Sequence, residues 1–465
     1  MAAETTLDVE RLEVFSAGFS GSVVDPGHER YEEMRKTHNA LVDKRPTLIA
    51  RCRGTADVVD AIAFAREAGL EISVRGGGHS VAGRAVTDGG LMIDLAEMKG
   101  IYVDPDARTV RAQGGVTWGE FNKETSLHGL ATTGGVVSTT GIAGLTLGGG
   151  LGWLNGAYGL AVDNLLSVEL VTADGEVLNV TEETHPDLFW ALRGGGGNFG
   201  VATSFEYRLH PLREVVGGLI AHPFDAAPDV LRAFREHQPP DELWVVAGLV
   251  HAPDGSGMKL AALVVCHAGS PEQAERDLRP LLEFGSPVLT EVGPMPYPVM
   301  NTLLDAAYPP GMFNYWKSSF MPDLPDPAID ALVERFAIAP SPMSAVILEG
   351  FHGAVCRVGV ADTAVPHREP GYNLGIFAEW TDQATTEENI AWTRDAYAEI
   401  EPYRDRQFRY VNYLDDDDVG DAVRAAYGPN YDRLVDVKRR YDPDNVFHLN
   451  HNIDPAEWSK SSLRS

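Results

Sequence analysis

Three clusters of glycine constrain this sequence more than any other feature. They are SVRGGGHSVAG at 73–83, GIAGLTLGGGLGWL at 141–154 and RGGGGNFGVAT at 193–203, in a chain of 465 residues with 48 glycines. A glycine has no Cβ, so its backbone reaches positive φ and approaches other groups closely. Each cluster alone is compatible with a tight turn. Three of them within one stretch of alternating strands and helices favour a cradle for a cofactor.

The first cluster predicts an anion site. It follows the predicted strand EISVRG, and Gly76, Gly77 and Gly78 leave successive N–H groups free to turn toward one anion such as a diphosphate. His79 projects from the same loop. A lone loop histidine is also explained as a structural hydrogen-bond donor, so its role stays open at this point.

The third cluster contains the pattern GxGxxG at Gly195, Gly197 and Gly200. In a dinucleotide-binding βαβ unit this pattern follows a strand and opens a helix. Here the preceding segment HPDLFWALR is helical, and the following segment VATSFEYRL alternates like a strand. The order is reversed, which argues against a Rossmann fold.

The pattern along the chain predicts four parts. Residues 1–42 form a helical N-terminal segment, and 43–212 form an α/β unit that includes the strand TLIARC and the helix TADVVDAIAFAREAG, capped by Thr55 and closed by Gly69. Residues 213–405 mix the strands GLIAHPF, ELWVVAGLV, KLAALVVCHA and AVILEGFHG with amphipathic helices, which predicts an antiparallel sheet covered on one face. Residues 406–465 form a tail with one helix, RAAYGPNYDRLVDVKRRY. The predicted class is α+β.

Charge and cysteine content exclude several functions. A formal net charge of -29 repels polyphosphate, so nucleic-acid binding is not expected. Cys52, Cys266 and Cys356 are widely spaced and predict neither a disulfide framework nor a zinc site. His448 and His451 lack acidic or thiol partners at ligand spacing, so we expect no metal. No signal peptide or membrane span is visible, and the expected location is the cytoplasm.

The glycine motifs, in this order, resemble the FAD-binding domain of the vanillyl-alcohol oxidase and p-cresol methylhydroxylase superfamily. Within it the chain is similar to berberine-bridge-enzyme-like oxidases, in the 6-hydroxy-D-nicotine-oxidase-like branch. The matching stretches include VRGGGHSVAG, GLTLGGGLGWL, DLFWALRGGGGNFGVAT, RYVNYLD and YDPDNVFHLNHNI. The resemblance implies a two-part FAD-binding domain at 43–212 completed by the tail, and a substrate-binding domain at 213–405.

The resemblance also implies which residues hold FAD. His79 is expected to bond covalently to the 8α carbon of the flavin, with the surrounding glycine loops and part of the tail lining the cofactor. The expected cofactor-binding residues are Arg75, Gly76, Gly77, Gly78, His79, Ser80, Gly83, Thr140, Gly141, Gly148, Gly150, Gly152, Asn164, Gly196, Asn198, Gly200, Val201, Tyr410, Asn412 and Asn450.

One departure from the family pattern bears on the covalent bond. Many berberine-bridge-like members carry a second link from a cysteine in the stretch that corresponds to GGVVSTTG. That position is Val137 here, and no cysteine is near it in sequence. A single link through His79 is therefore expected.

The implied chemistry is hydride transfer from substrate carbon to flavin N5, followed by reoxidation by molecular oxygen with release of H2O2. An alcohol also loses its O–H proton to a general base, for which the resemblance suggests Tyr410. Lys317 is the group expected to lower the pKa of Tyr410, although a surface salt bridge explains this lysine equally well. Thr140 is a candidate border of the oxygen path. Further pocket-lining candidates are Tyr315, His367, Arg368 and Trp380.

The predicted function is an oxidase of an alcohol in a small polar metabolite such as a sugar or glycoside. Two alternatives stay open: oxidation of an amine or N-heterocycle, as in the 6-hydroxynicotine oxidases, and a flavin-binding protein without catalysis. The sequence does not indicate an oligomeric state.

Overall fold

The computed structural model of the chain describes residues 9–405 and 408–457. Up to residue 211 it holds two sheets and a two-stranded ribbon. The strands are β1 (Ser22–Val24), β2 (Leu48–Arg51), β3 (Ile72–Arg75), β4 (Leu91–Asp94), β5 (Ile101–Asp104), β6 (Thr109–Gln113), β7 (Leu130–Ala131), β8 (Leu165–Val171), β9 (Val177–Val180), β10 (Val201–Arg208) and β11 (His210–Pro211). The helices are α1 (Val9–Gly18), α2 (Tyr31–Met34), α3 (Thr55–Ala68), α4 (Trp118–Ser126), α5 (Ile142–Leu147), α6 (Asn155–Tyr158) and α7 (Pro186–Leu192).

The first sheet has the order β1-β2-β4-β3, and β2 and β3 both run parallel to β4. The helix α3 connects β2 to β3. These two strands flank β4 and run in the same direction, so the chain must cross over between them, and a helix usually makes such a crossover. It ends as predicted at Gly69, which adopts the left-handed conformation with φ of 64°. Its N-cap is Gly54, so the prediction that Thr55 caps this helix was wrong by one residue.

The second sheet is antiparallel, with the order β5-β6-β10-β8-β9. The third glycine cluster lies between α7 and β10, so a helix precedes it and a strand follows it. The predicted reversal of the dinucleotide-binding order is confirmed, and this loop is not part of a Rossmann unit.

Residues 214–380 contain a seven-stranded antiparallel sheet with the order β15-β12-β14-β13-β17-β18-β16. Its strands are β12 (Glu214–Pro223), β13 (Leu243–His251), β14 (Lys259–His267), β15 (Leu289–Pro296), β16 (Phe313–Met321), β17 (Ala345–Phe351) and β18 (Gly371–Trp380). The helices are α8 (Ala227–Glu236), α9 (Pro271–Leu282), α10 (Tyr297–Met300), α11 (Asp326–Ala337), α12 (Thr386–Glu399), α13 (Asp421–Tyr427) and α14 (Tyr431–Tyr441). The predicted α+β class is confirmed; β15, β16 and β18 were not among the predicted strands.

Alternation along the strands gives the large sheet two different faces. On β13, Leu243, Val245 and Ala247 pack into a core with residues of α8, α9, α11 and α12. Trp244 and Val246, between them, belong to another cluster that also contains residues of the first part of the chain. One face is therefore covered by helices, as predicted, and the other faces the glycine clusters.

The tail returns to the first part of the chain, as the resemblance implies. Leu434 and Val435 of α14 share a buried core with Leu188 and Phe189 of α7. The predicted single tail helix is broken, because Gly428 adopts a φ of 47° and Pro429 follows it. The predicted boundary at residue 406 lies outside the described residues, and the other domain boundaries stay predictions.

A single side chain connects three parts of the molecule. The amide nitrogen of Asn39 donates to the backbone oxygens of Val81 (2.8 Å) and Asn314 (2.9 Å). Its oxygen accepts from the backbone N–H groups of Leu41 and Asn314, each at 3.0 Å. The N-terminal segment, the first glycine loop and strand β16 thus all bond to one buried side chain.

Candidate active site

A cavity of about 950 Å³ lies between the glycine clusters and the uncovered face of the large sheet. This volume is at the upper end of the range for small-molecule and cofactor sites. One part is lined by glycine-rich backbone, including Gly76 and Gly197. The other part is lined by side chains of the sheet, including Val246, Val264 and Ile347. The site can therefore hold a cofactor on one side and a small substrate on the other.

Most of the predicted cofactor-binding residues line this one cavity, although they come from five separate stretches of the chain. Those that line it are Gly76, Gly77, Gly78, His79, Ser80, Thr140, Gly141, Gly196, Asn198, Gly200, Val201, Tyr410, Asn412 and Asn450.

The backbone around the cavity fits a bulky ligand held by bare main chain. Gly144 lines the cavity within α5, and a Cβ there would meet no protein atom within 4 Å. Gly78 and Gly196 adopt φ of 74° and 73°, which side-chain-bearing residues rarely reach. Gly77 and Gly141 bring the first two clusters so close that a Cβ on Gly77 would lie 2.3 Å from the nitrogen of Gly141. The glycine clusters thus bring bare backbone to one cavity, and their role in holding the cofactor stays a prediction.

The other predicted cofactor-binding residues support the cavity from behind. Arg75 forms an ion pair with Asp94, with Nε 3.0 Å from Oδ1. Gly83 packs on Val42, and a Cβ on Gly83 would lie 2.6 Å from Cγ2 of Val42.

Three further glycines and Asn164 also lie outside the lining. Gly148 packs on the amide of Asn412, Gly150 on Ala161, and Gly152 on the carbonyl of Gly134. The amide of Asn164 donates to the backbone oxygens of Tyr158 and Leu160. None of these four residues lines the cavity, and their contact with the cofactor stays a prediction.

His79 is enclosed by polar and aromatic neighbours at the cavity wall. Its Nε2 lies 2.9 Å from the hydroxyl of Thr139, and its Nδ1 lies 3.4 Å from the hydroxyl of Thr140. The ring of His38 stacks on it with 4.2 Å between the centroids. Burial, with a smaller contribution from His38, lowers the pKa of His79 to about 3. The imidazole is therefore neutral, which is the form that can act as a nucleophile.

Tyr410 directs its hydroxyl into a group of N–H donors. The phenol oxygen accepts hydrogen bonds from the backbone of Gly150 (3.1 Å) and Leu151 (3.2 Å) and from the amide of Asn412 (2.9 Å). Burial raises the pKa of Tyr410 to about 12, although these three donors act in the opposite direction. At neutral pH the phenol is protonated.

The structure does not support the expected role of Lys317. This lysine leaves β16 next to Trp316, which lines the cavity, but Lys317 itself is not part of the lining. Its Nζ lies 2.5 Å from Asp417 and 2.9 Å from Asp418. These carboxylates raise the pKa of Lys317 even though burial opposes them. The charge of Lys317 is therefore neutralised by the tail and does not act on Tyr410.

The four additional pocket-lining candidates also lie outside the cavity. The hydroxyl of Tyr315 donates to Asp417, and Trp380 belongs to the helix-covered core. His367 bonds to the backbone oxygen of Arg409 through Nε2, at 2.8 Å. Arg368 forms a two-pronged ion pair with Asp163, with both nitrogen–oxygen distances at 2.8 Å.

The sequence analysis missed Glu349, which is the acidic residue of β17 that lines the cavity. Its Oε2 accepts a hydrogen bond from the amide of Asn373 at 2.7 Å, and the Tyr413 hydroxyl donates to it as well. Burial raises the pKa of Glu349 to about 7. A carboxyl in AVILEGFHG carries no motif, so only the pairing of β17 with β18 reveals this arrangement.

Aromatic rings form the wall beside Glu349. Trp316 stacks at a tilt on Phe377 with 4.4 Å between centroids, and Tyr413 meets Trp316 and Phe377 edge-on at 5.8 Å and 5.3 Å. Tyr308 meets Trp316 edge-on at 6.4 Å. Behind this wall lies Glu379, whose carboxyl oxygens are buried without a hydrogen-bond partner in the described structure, so burial raises its pKa to about 8.

The remaining expectations concern a metal site, the two histidines of the tail and a membrane span. Within residues 9–405 and 408–457, no group of three or more His, Cys, Asp or Glu side chains is placed to hold a metal ion. His448 instead bonds to Glu71, and His451 lines the cavity. No described helix combines the length and the apolar character that a membrane span needs.

Comparison with known proteins supports the interpretation of the cavity. The family described as "FAD binding domain" matches residues 46–181, and the family described as "Berberine and berberine like" matches residues 409–454. An FAD-linked oxidoreductase of Dictyostelium discoideum is 32% identical over 95% of this chain and 96% of its own. The (R)-6-hydroxynicotine oxidase of Paenarthrobacter nicotinovorans is 33% identical over 94% of this chain and 97% of its own.

A solved structure agrees with these sequence relationships. The crystal structure of 6-hydroxy-D-nicotine oxidase from Arthrobacter nicotinovorans superimposes with a TM-score of 0.86 and 31% identity, covering 94% of this chain and 98% of that one. The two matched families meet at the cavity, because His79 lies in the first and Tyr410 in the second.

Proposed function

The chain belongs to the FAD-linked oxidoreductases with a berberine-like C-terminal segment, and on that premise we propose that it oxidises a hydroxyl-bearing carbon of a small, largely apolar molecule with oxygen as the final acceptor. Its cofactor is FAD, which when bound takes up the hydride that leaves the substrate carbon. The residues of the chain supply binding, orientation and proton transfer.

Glu349 is the observation that carries this proposal. Oxidation of an alcohol requires a base for the O–H proton, and a base works best when its pKa is close to the operating pH. Glu349 lines the cavity, and its pKa is raised to about 7. Asn373 and Tyr413 hold the carboxyl in place through hydrogen bonds. In this proposal Glu349 accepts the hydroxyl proton, and Tyr410 orients the substrate beside it.

The cavity lining favours a less polar substrate than a sugar. Val246, Val264 and Ile347 line the sheet side of the cavity, together with the rings of Trp316 and Phe377. A polyhydroxylated substrate would leave many hydroxyl groups without partners against such a wall. We therefore replace the predicted sugar or glycoside with an aromatic or otherwise apolar alcohol as the proposed substrate.

The cofactor is proposed to be attached through His79 alone. The neutral imidazole of His79 faces the cavity, and Val137 occupies the lining position where a second link would need a cysteine. The three cysteines lie outside the lining, and Cys52 and Cys266 are buried in cores. The backbone of residues 76–80 is proposed to hold the diphosphate.

A second candidate function is oxidation of an amine. Glu349 and Glu379 are two buried carboxyls near Tyr308; Glu349 lines the cavity, and Tyr308 contacts the ring of Trp316 in the cavity wall. Carboxylates and aromatic faces both attract an ammonium group. This candidate also agrees with the 6-hydroxynicotine oxidase among the relatives.

A substrate screen tests both candidates. The full-length protein is mixed with matched pairs of aromatic alcohols and amines, and release of hydrogen peroxide is measured. Anaerobic bleaching of the flavin, reversed by air, confirms that the electrons pass through the cofactor. Peroxide release from alcohols, lost in Glu349→Gln, supports the first candidate. Turnover of amines alone rejects it, and bleaching without peroxide rejects oxygen as the acceptor.

A further inference from the structure

His38 belongs to the N-terminal segment but contacts the first glycine loop. It lies in the N-terminal segment after α2, and its backbone N–H donates to the carbonyl oxygen of Gly78 at 2.9 Å. Asn39, the next residue, bonds to both Val81 and the backbone of Asn314. The chain thus holds residue 38 firmly against the loop that carries His79.

The ring of His38 lies flat against the ring of His79. The centroids are 4.2 Å apart and the planes are inclined by 23°. Both residues line the same cavity. Because the two rings are stacked, their edges lie side by side. A ligand atom that contacts the edge of the His79 ring is therefore also close to the ring of His38.

The nitrogens of His38 are available for chemistry. His38 is only 7% exposed, yet its ring forms no hydrogen bond with any other part of the described chain. The nitrogens of His79, in contrast, lie next to the hydroxyls of Thr139 and Thr140. Burial lowers the pKa of His38 as well, so both rings are neutral and one nitrogen of the His38 ring carries no proton.

We propose that His38 is the base that drives attachment of the flavin to His79. The proposal rests on the single tether proposed above and adds the residue that forms it. A nitrogen of His79 bonds to the 8α carbon, one C–H bond of that carbon breaks, and His38 takes the proton. The imidazole of His79 loses its N–H proton, and the flavin gains the two electrons. Molecular oxygen then takes up these electrons and two protons and is reduced to hydrogen peroxide.

Two variants separate proton transfer from stacking. His38→Ala removes the base, and His38→Phe keeps a flat ring against His79 without a nitrogen. The full-length proteins are purified with bound FAD, precipitated with acid, and the fraction of flavin that stays with the protein is followed over time. We expect both variants to attach flavin roughly a hundredfold more slowly than the wild type, since general base catalysis typically contributes 10²- to 10⁴-fold.

Chemical rescue provides the decisive readout. Added imidazole is expected to fill the space left in His38→Ala and to restore attachment, while it has no effect on His79→Ala. The matched control is His222→Ala, which removes another buried imidazole, next to Phe284 and outside the cavity, and is expected to attach flavin like the wild type.

Two results overturn the role of His38. One is attachment at the wild-type rate in His38→Phe, which shows that the ring serves only by stacking. The other is a slow His38→Ala variant that imidazole does not accelerate. If the wild-type protein itself releases all its flavin on precipitation, the proposed tether is wrong, whatever the outcome of the substrate screen.

Discussion

At the scale of single residues, the site contains residues that a local motif predicts and residues that only the folded structure brings together. The glycine loops and His79 lie in contiguous motifs, so the sequence could predict where the cofactor is held. Glu349 and Asn373 lie 24 residues apart on neighbouring strands, and each is unremarkable in its own segment. Lys317 was wrongly predicted to act on Tyr410. The acidic residue Asp417, which neutralises it, lies 100 residues later in the sequence, so the ion pair could not be predicted. Long-range pairing of polar groups was the part that the sequence could not supply.

The charge state of Glu349 predicts how activity depends on pH. Its pKa is raised to about 7, so the carboxyl is protonated below that value and cannot accept a proton. Oxidation of an alcohol is expected to rise as the pH increases through about 7. In Glu349→Gln this rise is lost and kcat falls roughly a hundred- to ten-thousand-fold. Stopped-flow measurement of flavin reduction across pH 5–9 checks both effects.

The matched control for that variant is Glu379→Gln. It also removes a buried carboxyl on the large sheet, but one outside the lining of the cavity. We expect its pH profile for alcohols to match the wild type. Loss of the rise in this variant instead would move the base from Glu349 to Glu379.

Gly144 offers a direct test of the cradle. A Cβ at this position meets no protein atom within 4 Å, and Gly144 lies inside α5, where alanine is favoured over glycine by about 0.5–1 kcal/mol. The variant Gly144→Ala is expected to fold at least as well as the wild type but to bind FAD more weakly, because its methyl group projects into the cavity. Flavin content after dialysis, compared in a His79→Ala background so that no covalent bond retains the flavin, measures binding, and thermal unfolding measures stability. Unchanged flavin content would place the cofactor elsewhere.

At the scale of secondary-structure elements, local periodicity predicted well where an element carries its own signal. The helix α3 shows helical periodicity and strand β13 is a continuous apolar run, and both were predicted. Strands β15, β16 and β18 were missed; β15 is largely exposed at one edge of the sheet, and in β18 glycine and polar residues interrupt the apolar run although the strand is buried. Neither pattern alternates, and pairing with neighbours defines these strands instead.

The break between α13 and α14 makes a testable prediction about the tail. Gly428 has φ of 47° and ψ of -127°, and a Cβ there would lie 2.8 Å from the ring of Phe408. Gly420 has a similar backbone, with φ of 56° and ψ of -110°, but open space around its Cβ position. Replacing either by alanine is expected to cost about 1–3 kcal/mol of backbone strain. The change at Gly428 should cost more, because Phe408 must also move.

Chemical denaturation of the two variants measures this difference. Equal losses at both glycines would show that Phe408 adapts without cost. No loss at either would mean that the tail adopts another backbone, and that α13 and α14 form the single helix expected from the sequence.

At the scale of the whole molecule, a buried ion pair connects the cofactor side to the substrate side. Asp163 follows the second glycine cluster, and Arg368 lies between β17 and β18. Both side chains are buried, and two hydrogen bonds of 2.8 Å join them. The variant Arg368→Ala leaves the Asp163 carboxylate buried without its partner and is expected to lose about 3–5 kcal/mol of stability.

Removal of both charges is the control for this prediction. The double variant Asp163→Asn, Arg368→Met is expected to recover most of the lost stability, because neither charge is left unpaired. The midpoint of denaturant unfolding, measured for all three proteins, gives the comparison. A double variant as unstable as Arg368→Ala would show that the loss comes from packing and not from the unpaired charge.

The bonds of Asn39 have a consequence for recombining this enzyme with its relatives. On the sheet side the asparagine amide meets only main-chain atoms of residue 314, whose side chain takes no part in the contact. A transplanted substrate sheet would therefore find the same anchor regardless of its own sequence, provided that its edge strand keeps the same position. Grafting the substrate sheet between family members would keep this anchor in the recipient, whereas side-chain contacts across the junction such as the Asp163–Arg368 ion pair would need matching residues in the graft.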